Sequence, residues 1–286
     1  MDVALSLAFG LLTATGFGIA DFIAKLSTNR VGFLRTALFM QIIGSFLILP
    51  FALNDAYRLF LQPWALLEGI MLGVVNALAT LCLYRGFEVG RLSTVSPIAS
   101  SYPVVSILLA VSFLGERLTI ERLLGIGLVI VGIILVSMQT EHERVRKRLT
   151  EGVAYAIGYM VLGGVLFFGL KPVSQQLGVY LPVLLLRWVS ASVLVVPFFA
   201  LKPTGSTRLN AYLFIVAIAI FDTFANIAYN LGVSLGTVSI VSTIGGLFSA
   251  VTILLARFFL KEKLTRNQII GFLAITAGVV ILGFSA

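Results

Sequence analysis

Ionisable and amide side chains that interrupt long apolar runs are the residues of this chain that could do chemistry. Asp222 lies near the middle of such a run, and Asn226 and Asn230 follow at four-residue intervals, so the three share one helix face. An ionised group at the centre of a bilayer costs at least about 2.5–3.5 kcal/mol on insertion scales, so it marks a function or a partner. The stripe therefore predicts either the wall of a solute-binding cavity, with Asp222 a candidate for proton coupling, or hydrogen bonds between packed helices.

A second polar stripe occupies the equivalent positions in the first half of the chain. It consists of Asn76, Thr80 and Tyr84. Because the two stripes are copies of one pattern, we expect them to face each other and to bind substrate together, with Tyr229 beside the second stripe.

Two other apolar runs, 92–114 and 238–260, are rich in small hydroxyl side chains. Pro97 and Pro103 interrupt the first of them and free backbone carbonyl groups, which lipid cannot satisfy. We therefore expect this backbone to be covered by protein or to line a cavity. The candidate substrate contacts in these runs are Ser96, Tyr102, Ser242 and Phe248, with core packing as the alternative for the aromatic pair.

Asp21 and Lys25 are four residues apart in the first apolar run, so they lie on one helix face. This spacing favours a salt bridge at the membrane boundary; a gate, a substrate contact or a proton-coupling role is the alternative. Lys171, the counterpart of Lys25, lacks an acidic partner and is interpreted as a boundary residue that extends to the interface. Arg187, about two turns into its run, is interpreted as reaching the interface, with a substrate contact as the alternative.

The polar positions recur because the chain carries an internal duplication. Glu116-Arg-Leu-Thr119 returns as Glu262-Lys-Leu-Thr265, 146 residues later, and the same offset pairs Asn76 with Asp222. Both glutamates are interpreted as structural, since an acid near a helix N-terminus is stabilised by the free N–H groups. The chain therefore divides into a first repeat, 1–139, a basic linker, 140–150, and a second repeat, 151–286.

Composition places both repeats in a membrane. Of 286 residues, 59% are hydrophobic and 11% are charged, whereas soluble domains carry about 25% charged residues. Runs of about 20 apolar residues match a hydrocarbon core of about 30 Å, and they lack the alternation typical of strands. The predicted fold class is all-α: a polytopic membrane protein of ten transmembrane helices built from two inverted five-helix repeats. The predicted spans are Val3–Ala24, Val31–Leu53, Trp64–Tyr84, Leu92–Leu114, Leu123–Met138, Gly152–Leu170, Leu181–Leu201, Tyr212–Leu231, Val238–Leu260 and Gln268–Phe284.

Five spans in each repeat make the second repeat enter the membrane from the side opposite to the first. Inverted repeats around a midplane site are the recurring plan of secondary transporters. The connections after odd-numbered spans hold fifteen Lys and Arg residues and the others hold five, so the positive-inside rule places both termini outside. The net charge of +8 is thus a topology signal, and no nucleic-acid partner is predicted.

These features resemble the EamA-type transporters of the drug/metabolite transporter superfamily. The resemblance rests on the two five-span copies with their Glu-[Arg/Lys]-Leu-Thr motifs, on Gly18-Ile-Ala-Asp-Phe22, and on Gly90-Arg-Leu-Ser-Thr-Val-Ser-Pro97. It implies a metabolite exporter of a bacterial or archaeal inner membrane, with a cavity lined by spans 1, 3, 4, 6, 8 and 9. It also implies that both termini are cytoplasmic, which is opposite to the charge count.

The predicted function is a secondary transporter, an exporter that moves a small organic metabolite across the cytoplasmic membrane by alternating access around a midplane cavity. The alternative is a translocase of lipids or lipid-linked precursors, whose cavity would open sideways to lipid. His-Glu-x-x-His, Gly-x-Ser-x-Gly and Walker motifs are missing from the sequence. Neither an enzyme nor an ATP-driven pump is therefore predicted, and no cofactor or metal is expected; the partners are the solute and the lipid bilayer.

Overall fold

The computed structural model describes residues 3–114, 119–137, 143–201, 209–235, 241, 244–262 and 264–284. That part of the chain is helical almost throughout and contains no strand. Its helices are α1 Val3–Val31, α2 Phe33–Ala52, α3 Arg58–Leu61, α4 Pro63–Val89, α5 Leu92–Ala99, α6 Pro103–Leu114, α7 Ile120–Ser137, α8 Glu143–Leu177, α9 Leu181–Leu201, α10 Leu209–Leu235, α11 Phe248–Phe259 and α12 Arg266–Phe284. The short 3-10 helix Leu53–Asp55 lies between α2 and α3.

The outer surface is apolar where a soluble protein would be polar. Phe60, Trp64, Phe113 and Phe258 have exposed fractions of 89%, 76%, 75% and 74%, an exterior that suits hydrocarbon and not water. Seven helical segments in the described ranges are long and apolar enough to cross a bilayer, and one of them is formed by α5 and α6 together. They are Ala4–Val31, Phe33–Asp55, Pro63–Val89, Leu92–Phe113, Thr150–Leu177, Leu181–Leu201 and Tyr212–Gly232.

The other three predicted spans coincide with shorter helices. They are α7 and the apolar helices Ile244–Phe259 and Arg266–Leu282. The all-helical class and a multi-span membrane architecture are thus observed, and the number of ten crossings stays a prediction. The predicted linker is in part helical, since α8 begins at Glu143.

The fourth predicted span is broken where its prolines predict a break. α5 ends at Ala99 and α6 begins at Pro103. The hydroxyls of Ser100 and Ser101 donate to the Pro97 carbonyl oxygen at 2.9 and 3.0 Å. Side chains of the same turn therefore satisfy a backbone group for which lipid has no donor.

The last helices of the two repeats, α7 and α12, pack closely against each other. A Cβ atom on Gly132 would lie 2.6 Å from the Gly271 carbonyl oxygen, and one on Gly125 would lie 3.1 Å from the Gly278 carbonyl oxygen. Residue numbers rise along α7 as they fall along α12, so these equivalent helices run antiparallel. Glycine at the four positions allows the two backbones to approach this closely.

The second helices of the repeats, α2 and α9, also pack antiparallel to each other. The rings of Phe39 and Phe198 are 5.9 Å apart, and those of Phe51 and Tyr180 are 5.8 Å apart. The remaining large contacts come in matched sets: α1 packs on α10 of the second repeat as α4 packs on α8. Each repeat thus uses the same surfaces against the other.

Glu262 connects the repeats at the start of the fourth span. Its carboxylate accepts hydrogen bonds from the backbone N–H groups of Leu92, at 3.3 Å, and Ser93, at 3.0 Å. The structural role predicted for this glutamate is observed, but the helix it caps is α5 and not the adjacent α12. The first turn of α12 is closed by Thr265 and Gln268, which form a reciprocal capping box. Glu116 lies outside the described residues.

Candidate functional site

A polar cavity of about 70 Å³ lies where α1, α2, α4, α8, α9, α10 and α11 meet. This volume holds a few water molecules. Its charged lining residues are Asp21, Arg187 and Asp222, its other polar ones are Gln41, Asn76, Thr80, Tyr84, Tyr159 and Asn226, and its aromatic ones include Phe17, Phe167 and Phe248. Both repeats contribute, so the cavity exists only when the two halves are assembled.

An ion pair between Arg187 and Asp222 is the strongest polar contact of the cavity. Arg187 Nη2 lies 2.6 Å from Asp222 Oδ2, and the arginine is only 3% exposed. Asn226 Nδ2 donates to the same carboxylate oxygen at 3.1 Å and to the Asp222 carbonyl oxygen at 2.8 Å. The charge-assisted bonds stabilise each charge in a place where water is scarce.

Arg187 reaches the first repeat through its equivalent residue, Gln41. Arg187 Nη1 donates to Gln41 Oε1 at 3.3 Å and lies 3.1 Å from the Met40 sulfur. Gly44 leaves the space for the guanidinium, because a Cβ atom there would lie 2.5 Å from Arg187 Nη1. Two residues that hold equivalent positions in the repeats, 146 apart in sequence, therefore meet at this point.

Amide and hydroxyl groups of the first repeat extend this network. Gln41 Nε2 donates to the Thr80 hydroxyl at 3.4 Å, and Asn76 Nδ2 donates to the Ser190 hydroxyl at 2.9 Å. The Ser190 hydroxyl in turn donates to the Gly73 carbonyl oxygen at 2.9 Å. The network therefore ties α2 and α4 to α9 across the cavity.

The two copies that build this cavity match one family of membrane proteins. The EamA-like transporter family model matches residues 4–138 and, a second time, residues 150–284. The chain belongs to the EamA-like transporter family. The protein is thus a multi-pass membrane protein of a transporter family, and the resemblance noted in its sequence is confirmed.

Two other comparisons found proteins similar to this chain. An uncharacterized protein of Methanocaldococcus jannaschii is 32% identical to the chain over 138 residues, which make up 48% of this chain and 98% of that protein. A protein of known crystal structure is 17% identical, with a TM-score of 0.69, over 98% of this chain and 96% of that one. At that identity, the second likeness concerns the fold alone.

Six of the residues predicted to bind substrate line the cavity of this EamA-like protein. They are Asn76, Thr80, Tyr84, Asp222, Asn226 and Phe248. The helices that line it differ from those the family resemblance implies, because α2 and α9 contribute and no described residue of the fourth span does. Asn230, the third member of the Asp222 stripe, donates to the Val179 carbonyl oxygen at 2.8 Å and has no part in the cavity.

Three other predicted contacts lie behind the cavity wall. Tyr102 and Tyr229 pack on Phe167, which lines the cavity, with ring centroids at 4.5 and 5.3 Å. Ser96 is fully buried beside Asp21. These three side chains therefore lie outside the lining of the cavity in this form of the protein. Ser242 lies outside the described residues.

Lys25 has different partners from those its spacing favours. It forms no ion pair with Asp21; instead its ammonium donates to the carbonyl oxygens of Phe87 and of Gly90, the latter at 2.8 Å. Glu88 and Glu262 are the acids near it. The predicted Asp21–Lys25 salt bridge is thus wrong, and Lys25 fastens the end of α1 to the junction of α4 and α5, one turn from the cavity.

Removal of this tie is expected to destabilise the protein. Lys25→Met leaves two buried carbonyl groups without their charged donor, and we expect the free energy of unfolding to fall by about 1–3 kcal/mol. Lys171→Met is the matched control, since Lys171 is the repeat counterpart of Lys25 and is exposed. Thermal unfolding of both variants in detergent tests this; equal melting temperatures would contradict the assigned role.

Sequence interpretation favoured the interface for Arg187 and left a substrate role as the alternative. Its predicted position at the interface is wrong, because the guanidinium points into the cavity. One signal was available: an arginine two turns inside an apolar run needs an acid at the same depth, and Asp222 is such an acid in the next run. Gln41, Tyr159 and Phe167 carried no comparable signal.

Proposed function

We propose that this EamA-like protein is a secondary transporter that moves a small organic solute across the cytoplasmic membrane, in the direction of export, by alternating access. The observation that carries the proposal is the buried Arg187–Asp222 pair in a polar cavity built by both repeats. Buried charges are expensive in a membrane protein and mark pathways and binding sites. A purely structural bundle would commonly be as stable, or more stable, with apolar residues there.

The antiparallel packing of equivalent helices supports inverted repeats. If α7 and α12 cross the membrane in opposite directions, equivalent surfaces of the two repeats face opposite sides of the membrane. An exchange of conformations between the repeats then opens the cavity to the two sides in turn.

The volume of the cavity supports a closed form. Sites for organic ligands commonly measure about 300–1,000 Å³, whereas this cavity has about 70 Å³. A solute therefore needs the helices around the cavity to separate. Gln41 belongs to the first repeat and Arg187 to the second, so such a movement would change the contact between them.

A loss-of-polarity variant tests the transport proposal. We expect Asn76→Leu with Asn226→Leu to reduce solute counterflow in liposomes by about tenfold or more, because two amide groups of the cavity wall lose their hydrogen bonds. The solute is first found by comparing metabolites exported by cells with and without the protein. Asn54→Leu is the matched control, since Asn54 is exposed in the segment after α2.

The same experiment separates transport from the lipid alternative. A liposome that moves labelled lipid between leaflets and ignores every soluble metabolite would favour a translocase. Unchanged counterflow in the double variant would remove the cavity from the pathway.

A further inference from the structure

Asp21 is the lining acid whose charge is left without a partner among the described residues. It is 7% exposed, it faces the cavity, and its Oδ2 atom has no hydrogen-bond donor. The group beside it on α5 is the neutral Ser96 hydroxyl. An ionised carboxylate in such a place is costly unless a positive charge lies next to it.

The nearby cations are committed elsewhere. Arg187 pairs with Asp222 at 2.6 Å, and Lys25 donates to the backbone carbonyl groups of Phe87 and Gly90. The lining residues thus carry two carboxylates and one guanidinium. One negative charge is in excess, and it belongs to Asp21.

The walls around Asp21 are aromatic. Phe17, Tyr84, Tyr159 and Phe248 line the same cavity, and the Phe17 and Phe248 rings meet edge to face at 6.1 Å. Aromatic faces attract organic cations as well as apolar carbon. An unpaired carboxylate with such walls is suited to an alkyl or aryl ammonium group.

We propose that Asp21 binds the ammonium group of an organic amine, and that a proton occupies the same carboxylate when no amine is bound. This inference rests on the proposed transport function and names its substrate class as monovalent organic cations. On binding, the carboxylic acid of Asp21 releases its proton to the aqueous side that is open. The carboxylate then accepts a hydrogen bond from the ammonium, so the charge of the cavity stays constant.

The same observations disfavour anions and zwitterions. A substrate carboxylate would need the outer nitrogens of a guanidinium, and both Nη atoms of Arg187 are already engaged by Asp222, Gln41 and the Met40 sulfur. A metal ion would need further ligands around Asp21, and no group of three His, Cys, Asp or Glu side chains occurs in the part of the chain that the structure describes.

Binding of phenethylamine to the purified full-length protein in detergent tests the proposal, with 2-phenylethanol as its uncharged counterpart. We expect calorimetry to show about tenfold or tighter binding of the amine than of the alcohol, since a hydrogen bond to a charged group contributes that much. Asp21→Asn should abolish the difference. Asp55→Asn, the same change at the ion pair with Arg58 after α2, is the matched control and should preserve it.

Proton release by the unmodified protein gives a second readout that does not depend on a folded variant. Calorimetry in two buffers of different ionisation enthalpy should show about one proton released for each amine bound. The titratable or charged groups that face Asp21 are Asp222 on α10, Arg187 on α9, Tyr84 on α4 and Tyr159 on α8. Asp55→Asn should keep proton release, whereas Asp21→Asn should remove it.

Equal affinity for amine and alcohol, or an amine preference that survives Asp21→Asn, would overturn the proposal. Its failure is distinguishable from failure of the transport function. Counterflow of a neutral or anionic solute that ignores Asp21→Asn would leave transport standing and remove the amine. Amine binding without counterflow of any solute would do the reverse.

Discussion

Replacement of Arg187 by leucine is expected to stop transport and to lower the free energy of unfolding by about 3 kcal/mol. The variant leaves Asp222 in the cavity with the Asn226 amide as its remaining side-chain donor. Loss of one partner of a buried ion pair costs about 3–5 kcal/mol, and the lower end applies because the Asp222 side chain is 22% exposed. Thermal unfolding in detergent and counterflow in liposomes measure the two effects.

The double variant Arg187→Leu with Asp222→Leu separates stability from function. Replacement of a whole buried pair by apolar residues is commonly neutral or stabilising, so its melting temperature should return to that of the unmodified protein or exceed it. Transport should stay absent, because the polar wall of the cavity is gone. A single variant that transports normally would exclude the ion pair from the mechanism.

Replacement of Gly132 by valine is expected to prevent the two repeats from assembling. The new Cβ atom would lie 2.6 Å from the Gly271 carbonyl oxygen and 2.8 Å from the Ile275 backbone nitrogen. Backbone atoms cannot turn aside as a flexible side chain can, so the α7–α12 pair has to separate. We expect a loss of about 3 kcal/mol or more, seen as little monodisperse protein on size exclusion and a lower melting temperature.

Gly127→Val is the matched control on the same helix. A Cβ atom on Gly127 meets nothing within 4 Å, so the same substitution five residues away should be neutral or slightly stabilising by helix propensity. Gly271→Val should behave like Gly132→Val, since its Cβ atom would lie 2.7 Å from the Gly132 carbonyl oxygen. If the variants at 127 and 132 melted alike, the close packing of α7 on α12 would be wrong.

Much of the architecture could be predicted because an apolar run of about 20 residues crosses a bilayer as a helix. An apolar run must be helical to satisfy its backbone in lipid, and the constant 146-residue offset divides the chain into two copies. Pro97 and Pro103 likewise predicted the break between α5 and α6, because proline removes a donor. These signals are local, so folding does not change their meaning.

The partners of individual side chains could not be predicted in the same way. Helix periodicity placed Asp21 and Lys25 on one face, but a long lysine side chain can reach several acceptors, and Lys25 reaches the Phe87 and Gly90 carbonyl groups. Asn230 follows the stripe of Asp222 by the same periodicity, yet it donates to the Val179 carbonyl oxygen. The spacing of residues along a helix determines which of its faces they share, but it does not determine which helix packs against that face.

The sequence by itself therefore determined that the chain is helical, duplicated and set in a membrane, and it predicted that Asn76, Asp222 and Asn226 face one cavity, as they do. Only the tertiary structure decided that Arg187 crosses to Asp222 and Gln41, while Asp21 has no counter-charge among the residues that the structure describes. The physical reason is that apolar length and periodicity are properties of one segment, whereas the pairing of charges depends on which helices meet and at what depth.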